Sequence, residues 1–201
     1  MAITINGSGT VTGITAGGLP DNCITADDLA TTLDLSSNTI TLPSGTGGKV
    51  LQVVSTTKTD TFTTTSTSFT DITGLSVSIT PSSTSSKIMV SYNVTQGGYQ
   101  YGAWVVRLMR DSTAIAVADD IPNGAEGTTA WAGDSSRDGS LGVSGMNYLD
   151  SPSTTSAITY KLQLICSNSG TANINKAFYE NSGGTNVGRG VSSITVMEIG
   201  A

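Results

Sequence analysis

The chain has 201 residues, a formal net charge of −6, 12% charged side chains and no histidine. Ordinary domains carry about a quarter charged residues, and the nine Lys and Arg, scattered singly, form no patch to neutralise phosphates, so nucleic-acid binding is not expected. Without histidine, Ser-His-Asp and Cys-His catalysis are excluded and the usual zinc sites lose their commonest ligand.

Apolar residues still make up 37% of the chain, enough for a packed core. Ser and Thr together approach a third, and with the many Val and Ile they favour strands, because β-branched side chains fit a pleated surface. No apolar run is long enough to span a bilayer. The start, Met-Ala-Ile-Thr-Ile-Asn-Gly, lacks the basic flank and apolar core of a signal peptide, so assembly in the cytosol without membrane insertion is expected.

Residues 1–22 read as an extended arm. Ile3 and Ile5 supply apolar contacts, while Gly7, Gly9, Gly13, Gly17 and Gly18 deny it regular structure. Thr25-Ala-Asp-Asp28 is a capping-box variant that predicts a short helix over 25–33, with Leu29 and Leu33 on its apolar side. Two turns of helix are marginal alone and need a partner surface, for which copies of themselves are a candidate. Pro43 to Gly48 is turn-forming and nearly free of apolar residues, which sets a domain boundary between residues 1–48 and 49–201.

From Val50 the pattern is that of strands. Val50–Val54 is one, Thr59–Thr65 a polar second, Phe69–Ile72 a short third. Leu75, Val77 and Ile79 then alternate with Ser and Thr until Pro81; Ile88, Val90, Tyr92 and Val94 alternate after Lys87; Trp104, Val106 and Leu108 follow, then Ile115 and Val117. Short polar breaks between these runs predict an antiparallel sheet with a meander over about 86–118. The acidic stretch 119–141 reads as a long loop with Trp131 in its middle. Strands are expected again at Gly142–Leu149, Ala157–Ser167, Ala172–Lys176 and Val191–Ile199, with a Gly/Asn-rich loop over 180–190. Strands of this number and length, without a helical crossover, predict a jelly-roll-like antiparallel β-sandwich. Cys166 shares parity with Tyr160, Leu162 and Leu164 and is expected in the core; a bridge to Cys23 is not.

Chemistry is sparse. Gly45-Thr-Gly-Gly-Lys49 neither follows a clear strand nor opens a helix, so it is not a phosphate loop. Asp119, Asp120, Glu126, Asp134 and Asp138 gather in one region, with Asp150 and Glu180 elsewhere; such carboxylates could serve a glycosidase or hold Ca²⁺, but a solvated recognition loop is the simpler reading, with no cofactor and no metal. Tyr99 and Tyr101 in a Gly-rich bend, together with Trp131, can stack on sugars or anchor an interface, or cap the core.

The run Thr61-Phe-Thr-Thr-Thr-Ser-Thr-Ser-Phe-Thr-Asp71, leading into Leu75–Val90, together with Arg107-Leu-Met-Arg-Asp and the ending Ser193-Ile-Thr-Val-Met-Glu-Ile199, resembles a β-domain common in tailed-bacteriophage fibre and appendage proteins. The resemblance covers about residues 50–201. It implies a non-enzymatic virion protein, a homotrimer, with the arm and helix (Ile3, Ile5, Leu29, Leu33) attaching to tail, portal or capsid proteins and trimerising. It also implies an outward β-domain; on that domain the loop and bend residues Tyr99, Tyr101, Trp131, Asp134 and Asp138 are the expected contacts with a host-surface glycan or protein. A capsid-decorating or head-fibre protein is the alternative, and a carbohydrate-binding or carbohydrate-active protein the second.

Overall fold

The computed structural model describes residues 49–99, 103–120, 122, 124–132, 141–167, 170–178 and 188–200. The chain divides into two units, Met1–Thr46 and Gly47–Ala201, and all described residues belong to the second. The arm, the helix expected at 25–33 and Cys23 therefore lie outside the described residues.

Eleven strands form among the described residues: β1 (Val50–Lys58), β2 (Phe62–Thr64), β3 (Thr70–Ile79), β4 (Lys87–Tyr99), β5 (Ala103–Arg110), β6 (Thr113–Ile115), β7 (Thr129–Ala132), β8 (Gly142–Asp150), β9 (Ile158–Ser167), β10 (Thr171–Ile174) and β11 (Ser192–Ile199). They make two antiparallel sheets. In the first, β4 pairs β8 along one edge and β11 then β10 along the other; β1 and β2 lie outside β11 and β10. In the second, β9 lies between β3 and β5, and the far edge of β5 carries β6 and β7. Counting β1/β2, β6/β7 and β10/β11 each as one interrupted strand leaves eight, four to a sheet, in the order of a jelly roll.

The core lies where alternation in sequence puts it. Ile88, Val90, Tyr92 and Val94 from β4 and Ile194 and Val196 from β11 meet Trp104, Val106, Leu108, Tyr160, Leu162, Leu164 and Cys166 from the second sheet. Burying a large aliphatic or aromatic side chain contributes about 1.5–3 kcal/mol, and this stripe is continuous across both sheets.

Two expectations need correction. The strands over about 86–118 do not form a meander, nor do the strands from Leu75 to Arg110 share one sheet: β3 and β5 belong to one sheet and β4 to the other, so the chain crosses the core on either side of β4 and only β5–β6 is a hairpin. Alternation records which side of a strand is wet, not which strand lies beside it. The second concerns Trp131, which lies not in mid-loop but in β7, paired with Trp104 across the ladder. The two rings stack with centroids 4.8 Å apart, and a Cβ on Gly142 would collide with the Trp131 indole. Thr-Ala-Trp-Ala is too short to show a period, and only its aromatic partner in β5 makes it a strand.

Polar groups inside the sandwich hold its ends. Arg110 Nη1 donates to both Asp150 oxygens at 2.9 Å, and Tyr160 Oη donates to Asp150 Oδ2 at 2.6 Å, which joins β5 and β9 to β8 across the core. Burial and the adjacent Asp150 carboxylate push the Tyr160 phenol far up. At the opposite edge the buried Asn175, with φ of 62°, donates from Nδ2 to the carbonyls of Lys58 and Asp60 at 2.8 and 2.9 Å and accepts from Ser192 Oγ at 2.6 Å. Asparagine tolerates this left-handed conformation better than most residues.

Candidate functional site

The two outer faces of the sandwich differ in chemistry. Residues of β1, β11, β4 and β8 that point away from the core fall into transverse rows. One row is Val53, Met197, Met89 and Leu149; the next is Ser55, Thr195, Ser91 and Asn147; the third is Thr57, Ser193, Asn93 and Gly145. Val50, Leu51 and Ile199 extend the apolar row toward the end where the chain enters β1, beside Gly200, whose N–H donates to the Lys49 carbonyl at 2.7 Å. Val53 is 56% exposed and Leu149 50%. No charged side chain stands in these three rows. Lys87 flanks them at the edge and donates to Ser151 Oγ. The three rows are uncharged and hydroxyl-rich, with one apolar stripe.

The face of the second sheet is charged. On β5 and β9, Arg107 and Gln163 stand opposite each other, with Asp71 of β3 next in the same row. Arg107 Nη2 donates to Gln163 Oε1 at 2.9 Å, Gln163 Nε2 donates to Asp71 Oδ1 at 2.7 Å, and Lys161 Nζ donates to Asp71 Oδ2 at 2.7 Å. These bonds from Lys161 and Gln163 hold the Asp71 carboxyl below its ordinary range, and together they fix the orientation of the Gln163 amide. The Arg107 guanidinium lies over the Phe69 ring, 3.7 Å from its centroid.

Residues 116–120 and 124–128 lie beside this face. Ala118 N–H donates to the Gly127 carbonyl at 3.0 Å and Thr128 N–H to that of Val106 at 2.8 Å. Gly127 sits so close over Val105 that a Cβ there would overlap the Val105 side chain. Between these residues and the β2–β3 connection is an open depression of about 500 Å³. Thr67, Ser68 and Phe69 form one side, Glu126 the other, and Arg107 and Ile165 contribute to the floor. Burial pulls the Arg107 guanidinium below its ordinary value, opposed by the nearby Glu126 charge. A hydrogen bond shared with Asp120 and the repulsion between the two groups push the Glu126 carboxyl up.

Of the residues singled out in sequence, Tyr99 closes β4 opposite Thr171 of β10, and Trp131 packs between the sheets. Tyr101, Asp134, Asp138, Ile3, Ile5, Leu29 and Leu33 lie outside the described residues. Among the described carboxylates, Asp120 and Glu126 meet on the outer face, whereas Asp150 is buried on the core side; Glu180 lies outside the described residues. No group of three potential metal ligands occurs among the described residues. Arg107, Phe69 and the apolar row were missed in sequence. The available signal was a charged residue at the outward parity of the apolar strand Ala-Trp-Val-Val-Arg-Leu-Met-Arg, but sequence does not show what lies over it.

No family model matches the chain, and no curated protein matches it in sequence. Among solved structures, a chain from the structure of infectious bursal disease virus Gx strain is similar to 81% of this chain, at 14% identity and a TM-score of 0.37. That alignment takes in 46% of the other chain, so this chain spans less than half of its length. The likeness is too loose to bear on function.

Proposed function

We propose that the chain is a non-enzymatic virion structural protein: a homotrimeric tail fibre or appendage, assembled in the host cytoplasm, whose jelly roll faces the host surface. Residues 1–48 attach it to tail, portal or capsid proteins. The observation that carries the reading is the set of uncharged rows. A chain of net charge −6 repels its own copies wherever carboxylates would meet. Rows of Ser, Thr, Asn and one apolar stripe offer a contact with no like-charge penalty and match the charge depletion of interface cores. Closing three copies about an axis would bring the Val53–Met197–Met89–Leu149 rows together and cover side chains now half in water. Jelly rolls are the architecture of many viral shell and lectin domains, and the resemblance of residues 50–201 to phage appendage domains points the same way.

The test is the mass of the full chain by light scattering. A trimer at micromolar concentration is expected, with dissociation when Val53→Lys and Met197→Lys place three copies of each cation together. A wild-type monomer, or a trimer indifferent to both substitutions, refutes assembly through this face. Deleting residues 1–33 should release the protein from particles; particles that keep the truncated chain refute the attachment role.

A further inference from the structure

Lys58, Arg110 and Lys161 are each met by a carboxylate, at 2.8, 2.9 and 2.7 Å. Arg107 is not among these ion pairs. It is met by an amide oxygen and an aromatic ring, and its Nε is buried without an acceptor. Desolvating a cation without an anion is costly, and guanidinium is the group that binds carboxylates in pairs of parallel hydrogen bonds. Glu126, whose charge acts on Arg107 and whose carboxyl is hydrogen-bonded to Asp120, lines the same 500 Å³ depression. A cation and an anion thus line one open depression of the size that takes small ligands.

The occupant has to answer both walls. It needs an anionic group for Arg107 and hydrogen-bond donors for the Glu126 carboxylate. The hydroxyls of Thr67 and Ser68 call for further polar groups, and the apolar lining is limited to Phe69, Ala125 and Ile165. A peptide side chain would need more apolar lining than these supply, whereas a ring bearing one carboxylate and several hydroxyls matches all four sides. We propose that this depression binds one acidic sugar unit, its carboxylate on Arg107 and its hydroxyls on Glu126, Thr67 and Ser68.

Gln163 is then a positioning residue. Its amide is held by Asp71 so that its oxygen faces Arg107 and accepts from Nη2, which holds the guanidinium over Phe69. The inference goes beyond the assembly reading: binding can fail while the trimer persists, and the trimer can fail while the site still binds.

The experiment is calorimetric or saturation-transfer titration of the full chain with glucuronic acid, glucose and acetate at equal ionic strength. Glucuronate should bind at least about tenfold more tightly than glucose, through the charge-assisted pair, and more tightly than acetate, through the hydroxyls. Arg107→Gln should remove the preference over glucose, and Glu126→Gln should narrow the preference over acetate. Thr67→Trp, at the exposed rim, should block the site without touching Arg107, and serves if thermal melting shows that the arginine variant does not fold. Absence of glucuronate binding, equal affinity for glucose and glucuronate, or binding indifferent to Thr67→Trp overturns the site. Glucuronate binding no tighter than acetate overturns the sugar assignment.

Discussion

Glu198 offers the most exacting test of the sandwich. It points inward near the end of β11 and is fully buried, where an unpaired carboxylate would be expensive. Three donors meet it: Gln52 Nε2 at 2.6 Å, Ser82 N–H at 2.7 Å and Ser82 Oγ at 2.6 Å. Gln52 also donates to the Thr80 carbonyl at 2.7 Å, so this carboxylate ties β1, β11 and the β3–β4 connection together. Burial pushes its pKa up; the hydrogen bonds, that of the Ser82 hydroxyl first, outweigh burial and hold it at about 2 instead of 4.5.

A carboxyl depressed in the fold contributes stability above its unfolded pKa and loses it as pH falls toward the folded value. Counted in full, the displacement contributes about 3 kcal/mol at neutral pH. Ser82, which covers the carboxylate, is itself exposed, so solvent screening leaves about 1–2 kcal/mol. Glu198→Gln should remove this contribution and set an amide N–H against the Gln52 amide, costing about 2 kcal/mol near pH 7. In urea unfolding the gap between wild type and variant should shrink between about pH 4.5 and about pH 2.5. Asp60 and Asp71 are also held low by lysine partners, but they titrate in both proteins and drop out of the difference. A gap that stays constant across this range, or no gap at neutral pH, refutes the reasoning.

Gly98→Ala should destabilise by about 2 kcal/mol or more, because the added Cβ would overlap the Trp104 ring and the Thr171 carbonyl oxygen, and Trp104 has Trp131 stacked on it and nowhere to retreat. Thermal melting reads this, and an unchanged midpoint would mean that β4 and β5 are not so closely packed. Asn175→Ala should cost about 3 kcal/mol, since it forces an alanine into a left-handed conformation and strips the Lys58, Asp60 and Ser192 partners; Asn175→Gly, which relieves only the backbone, should recover a minority of the loss in the same melt.

Alternation was legible wherever a strand had one wet face. Ile88 to Val94, Trp104 to Leu108 and Tyr160 to Cys166 point inward as their parity requires, and the all-β class and most strand limits follow from them. The same logic fails at β1. There Gln52, Thr56 and Lys58 turn inward while Leu51 and Val53 face water, because pairing with β11 sets which parity faces the core and polar partners accommodate the inward set: Glu198 and the Thr80 carbonyl for Gln52, the Ser76 carbonyl for Thr56, and the exposed Asp60 for Lys58. Glu198 is inward for a related reason: the end of the sandwich supplies three donors that no local pattern announces.

By itself, the sequence determined that residues 49–201 build sheets rather than helices, and which side of most regular strands is apolar. Those are local properties, written at a period of two residues. The tertiary structure decided which strands are neighbours, that Trp131 packs on Trp104 as part of β7, that the apolar row lies beside two uncharged rows on one face, and that Arg107 and Glu126 line one depression on the other. Each of these joins residues far apart in the chain, and a two-residue period carries no information about partners at that distance.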